Sequence, residues 1–64
     1  MKILIRANGG AKIGMGHLMR CTVLADQLRE FATVVFVCES NDEFKSGIDF
    51  LVRKNYQVIL LDSD

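Results

Sequence analysis

The sequence predicts an α/β fold in which three parallel strands alternate with two helices, and three features of the 64-residue chain carry that expectation. Short apolar runs are separated by two segments with helical spacing, giving the order strand, helix, strand, helix, strand. The apolar runs are continuous instead of alternating, which is the pattern of parallel strands buried on both faces. Turn residues stand at the joins, as Asn8-Gly9-Gly10 and Asn55.

Residues Lys2 to Ala7 read as the first strand, because the β-branched stretch ends at Asn8, Gly9 and Gly10. Asn8 to Gly16 holds four glycines and reads as a loop. His17 to Phe31 follows as a helix, with Leu18, Cys21, Ala25 and Leu28 at helical spacing and Leu24 widening the stripe. Thr33 to Cys38 is the second strand. Ser40 and Glu43 form a Ser-x-x-Glu capping box that opens a second helix, whose inward face takes Phe44, Ile48, Leu51 and Val52. Asn55 stops that helix and Val58 to Leu61 is the third strand.

Crossovers of this kind are right-handed, so two of them running the same way across a sheet put both helices on one face. The opposite face is then apolar and bare. Residues 1–64 are therefore expected to be an amino-terminal βαβαβ segment of a longer domain, or to cover that face by self-association.

Composition narrows the function classes. Half the residues are apolar and a quarter charged, as in a globular domain. Eight basic residues balance eight acidic ones, so no footprint for nucleic acid or an anionic membrane is expected. Ile3 to Ile5 is too short a run for a signal-peptide core, and no stretch approaches membrane-spanning length. Cys21 and Cys38 lack metal or redox spacing and lie in apolar stretches, so both are expected as small buried hydrophobes in a reducing compartment. The cytoplasm is the expected location.

The chemistry concentrates in Asn8 to His17. This loop leaves the carboxyl end of the first strand, where open α/β sheets bind ligands, and runs into a helix start with unpaired amides. Gly9 and Gly14 have P-loop spacing, but Met15 and Gly16 replace the lysine and the hydroxyl residue. Gly14-Met15-Gly16 begins a dinucleotide fingerprint that fails at Met19, although Glu39 ends the second strand where a ribose-binding carboxylate would sit. The alternative is that the glycines only allow a tight turn.

His17 is the single histidine, and a helix start disfavours its imidazolium, leaving a neutral ring able to take a proton from water. A helix-capping or packed histidine is the competing reading. Arg20, one turn on, suits a phosphate or a carboxylate, with a surface ion pair as the plainer use. Lys12 reads as solvated, and Asp62 and Asp64 follow the third strand with little weight.

Ile5-Arg6-Ala7-Asn8-Gly9-Gly10, then Ile13-Gly14-Met15-Gly16-His17-Leu18-Met19-Arg20-Cys21 and Leu24-Ala25, resembles the opening of the pseudaminic acid pathway UDP-sugar hydrolases and the related spore coat polysaccharide biosynthesis proteins. The resemblance spans residues 3–25, with only the strand-helix rhythm agreeing later. It implies a Rossmann-like half-domain, the first part of a two-domain glycosyltransferase-like fold. It implies hydrolysis of a UDP-diacetamido-trideoxy-altrose donor, with His17 activating the water and no metal or other cofactor. Gly9, Gly10, Gly14, Gly16 and Arg20 would then face the sugar and diphosphate, while the absent second half holds most of the nucleotide. Family members often carry aspartate where this chain has Asn8, so no role transfers to that position. A related glycosyltransferase and a non-catalytic interaction module remain the alternatives.

Overall fold

The computed structural model describes residues 1–62, so Ser63 and Asp64 lie outside the described residues. The elements run β1 (Lys2–Arg6), α1 (Gly16–Leu28), β2 (Thr33–Ser40), a 3-10 turn (Asp42–Phe44), α2 (Lys45–Arg53) and β3 (Gln57–Asp62). All strands are parallel, in the order β1-β2-β3. This is a small α/β domain with a three-stranded sheet and two helices.

One apolar cluster joins both helices to one side of the sheet. Leu18 and Ala25 of α1 and Leu51 of α2 close over Val34, Phe36 and Cys38 of β2, with Ala7 and Tyr56 at the ends. Alternation along a strand sends i and i+2 to the same side, so Val34, Phe36 and Cys38 form a single row under the helices. Phe36 is fully buried, and burial of a side chain of that size contributes roughly 2 kcal/mol. Both helices therefore lie on one face, as consecutive right-handed crossovers require.

No element among the described residues covers the other face. Leu4 registers with Val35, and Arg6 with Val37 and Ile59. On that side Leu4 is 60% exposed, Ile59 42% and Leu61 37%. Val35, placed between Leu4 and Gln57 in the ladder, is nonetheless buried. The continuous apolar runs thus have two apolar faces, of which one is packed.

Several boundaries differ from the sequence expectation. α1 ends at Leu28, three residues before Phe31, where the Phe31 and Ala32 amides both turn back onto the Leu28 carbonyl. Phe31 is left exposed. β2 runs two residues past Cys38, because Glu39 and Ser40 pair with Leu61 and Asp62. Ser40 is therefore a strand residue, and the expected Ser40–Glu43 capping box does not form. Asn41 caps instead: its extended backbone lets the side-chain oxygen accept the Glu43 amide at 2.9 Å. Leu24 and Val52, expected inside, are 54% and 55% exposed. Thr22 takes an inward position on α1, with its hydroxyl donating to the Met19 carbonyl at 2.7 Å. On α2 the buried positions are Gly47 and Leu51.

Asn55 ends α2 as its residue type suggests. It holds φ +66°, and the Asn55 and Tyr56 amides donate to the carbonyls of Val52 and Leu51. That pair of bonds is a Schellman closure. Tyr56 then anchors the amino end of the sheet. Its ring meets Phe36 edge-on at 5.0 Å, the Arg29 guanidinium lies 3.9 Å above it, and its hydroxyl donates to Asp26. Lys54 Nζ reaches the other Asp26 oxygen at 3.0 Å, while Arg29 donates to the Lys54 and Asn55 carbonyls. The Tyr56 hydrogen bond, with Lys54 next, lowers the Asp26 carboxyl below its ordinary value. Burial foremost, and then Asp26, push the Tyr56 phenol up to about 12.

Two expectations follow. The phenol is raised in the fold, so its stabilisation is complete below its ordinary value of 10.0 and is lost as pH climbs towards about 12. Urea unfolding across that window should show stability falling, with a shallower decline in Tyr56→Phe. A Cβ built on Gly47 would overlap the Gly9 carbonyl oxygen; Gly47→Ala should cost about 1–3 kcal/mol, the usual range for overpacking, in the same assay.

Candidate functional site

The loop between β1 and α1 is built in two halves. Its first half is packed. The Ala7 amide continues the sheet by donating to the Val37 carbonyl at 3.2 Å. Asn8 Oδ1 accepts the Glu39 amide at 3.0 Å, tying the carboxyl end of β1 to that of β2. Gly9 and Gly10 are buried, and the backbone here lies so close to the turn before α2 that a Cβ on Gly10 would overlap the Glu43 carbonyl oxygen. Lys12 is exposed, as expected, with its Nζ 3.3 Å from Glu43 Oε1.

The second half is open. Gly10 and Gly14 exchange two backbone hydrogen bonds of 3.2 and 2.8 Å, which close the loop tip into a tight turn. Gly14 sits at φ +82°, a conformation that side chains with a Cβ rarely adopt. A Cβ at Gly14 or at Gly16 would meet nothing within 4 Å. The glycines thus divide their labour: Gly9 packs against Leu18 and Met15, Gly10 packs against the turn before α2, and Gly14 and Gly16 present bare backbone.

α1 starts at Gly16 with no side-chain cap at Met15 and no acidic residue in its first turn. Its leading amides and partial positive charge are therefore not engaged by a capping side chain. His17 occupies this first turn and is exposed, so its ring is neither buried in the core nor used as a cap. Its Nε2 lies 3.7 Å from Cys21 Sγ, one turn along the same helix. Cys21 is half-buried, not sequestered as the sequence suggested, whereas Cys38 is buried with its thiol pushed up by desolvation. Arg20 is exposed and forms no ion pair among the described residues, so the plainer surface-pair reading is not met.

Other groups at the carboxyl edge are already partnered or lie further off. Glu39 is paired with Arg6 at 3.8 Å on the bare face. Asp62 is exposed at the end of β3. A crevice of about 230 Å³ opens between the ends of β2 and β3, lined by Ser40, Asn41, Asp42, Lys45, Ile48 and Leu60. His17, Arg20 and the loop glycines do not line it. No cluster of three or more metal-ligating side chains occurs among the described residues.

The Cys21 contact and the packing roles of Gly9 and Gly10 escaped the sequence reading. The first had a usable signal, since residues four apart share a helix face. The second depends on where α2 sits and has no local signature.

These features define a small parallel α/β domain whose glycine loop and exposed histidine share the carboxyl edge of the sheet. No family model, curated protein or solved structure matches the chain. No helix among the described residues is long and apolar enough to cross a membrane.

The two open glycines should separate by backbone conformation. Gly14→Ala must carry a side chain at positive φ and should lose about 1 kcal/mol, whereas Gly16→Ala should melt within about 0.5 kcal/mol of the parent by urea denaturation.

Proposed function

We propose that this chain is the amino-terminal, Rossmann-like half of a two-domain hydrolase acting on a UDP-activated sugar, of the diacetamido-trideoxy-altrose type that the motif resemblance implies. The observation that carries the reading is the exposed His17 imidazole in the first turn of an uncapped helix, beside the open backbone of Gly14 and Gly16. Uncapped helix amides are suited to a phosphate, and backbone without side chains lets a ligand come close.

In this mechanism His17 receives a proton from water as the water oxygen bonds to the anomeric carbon. The bond from that carbon to the diphosphate breaks, and UDP leaves with the electron pair. The helix start and Arg20 face the diphosphate oxygens, where negative charge grows as the bond breaks. Gly9 and Gly10 serve the site indirectly, by fixing the loop against Leu18 of α1 and the turn before α2. Asn8 holds β1 to β2 and takes no part in the reaction. A partner domain supplies most of the nucleotide contacts, and the compartment implied is the cytoplasm.

In the intact protein, His17→Asn should abolish hydrolysis of the UDP-sugar while UDP binding by calorimetry persists. Unchanged turnover would remove His17 from the chemistry.

The bare sheet face favours a second reading, a non-catalytic module that associates through Leu4, Ile59 and Leu61. A homo-oligomer in sedimentation, together with no UDP-sugar turnover by the intact protein, would select it.

A further inference from the structure

We propose that Cys21 and His17 together form a modification site, a base-assisted thiol that is taken into mixed disulfides by small-molecule disulfides. The proposal stands apart from the nucleotide-sugar reading, because it concerns the reactivity of the sulfur alone.

Two side chains make the site. Cys21 Sγ lies 3.7 Å from His17 Nε2, with the thiol half-buried and the imidazole exposed. Both sit on α1, a continuous helix from Gly16 to Leu28, and residues four apart on a helix are stacked neighbours. The backbone therefore fixes their separation, and only side-chain rotation remains to be ordered. No acidic residue stands in the first turn of α1 to divert the ring into an ion pair on its own turn. Imidazole is the side chain best able to take a proton near neutral pH, and the deprotonated sulfur is the attacking form.

The step balances without further reagents. Cys21 Sγ attacks one sulfur of the disulfide, a new S–S bond forms, and the original S–S bond breaks. The leaving half departs as a thiolate, and the proton lost by Cys21 passes to His17 Nε2. Cys38 supplies a contrast in the same chain. It is 2% exposed, and burial raises its thiol. It has no comparable access.

The test uses a neutral dipyridyl disulfide at pH 7, with the released thiopyridone read by absorbance and the modified cysteine located by peptide mass. Cys21 is expected to react first, and His17→Asn to slow it about tenfold. A peptide of residues Leu18 to Leu24 carries the same cysteine without the histidine and provides a reference that does not depend on the variant folding. Cys21 in the chain should outpace that peptide. The proposal is overturned if Cys21 reacts no faster than the peptide, if His17→Asn reacts at the parent rate, or if Cys38 is modified first.

Discussion

The central strand β2 touches every other element of this chain. It pairs with β1 on one edge and β3 on the other, and α1, α2 and the turn before α2 all pack on it. Its inward row of Val34, Phe36 and Cys38 lies in the cluster that both helices share. Phe36 sits in the middle of that row, fully buried, with Tyr56 against its edge. Removing a ring from such a place leaves a cavity beneath both helices at once, so the two crossovers stand or fall together. The polar cluster of Asp26, Arg29, Lys54 and Tyr56 then locks the amino end, where α1 and α2 finish side by side.

Much of this was legible because it depends on local chemistry. The strand-helix order follows from apolar spacing, and the single-sided helix layer follows from the handedness of the crossovers. Asn55 was readable as a stop because asparagine tolerates the left-handed conformation that it adopts here. His17 falls at the helix start because a glycine-rich run cannot sustain a helix before it. What the sequence concealed depends on competition between neighbours. Ser40 and Asn41 are both good caps, and the choice fell to Asn41 only because β3 is long enough to hold Ser40 in the ladder. Leu24 and Val52 look apolar enough to be inside, yet a sheet of three strands is too narrow to cover their side of each helix.

The same distinction governs the loop. Four glycines between positions 9 and 16 suggest one ligand cradle, but the structure spends two of them on packing. Gly9 makes room for Leu18 and Met15, and Gly10 lets the loop backbone meet the Glu43 carbonyl, which fixes where the loop leaves the sheet. Gly14 and Gly16 are the pair left facing open space. Asn8 belongs with the first group, since its oxygen accepts the Glu39 amide. An aspartate at that position could accept the same hydrogen bond, so exchanging the two residues changes charge at the sheet edge and leaves this tie between strands available.

That change in charge bears on the ligand the edge would favour. Lys12 is drawn to Glu43 and Arg6 to Glu39, so two of the nearby cations are offset by carboxylates. An aspartate at position 8 would add another negative group beside Glu39, whereas asparagine adds none. The uncapped start of α1 carries partial positive charge, and Arg20 has no ion pair among the described residues. Both lie on the same helix as His17, within about one turn of it. On the proposed reading, an anionic leaving group would lie at the helix start, beside the exposed imidazole.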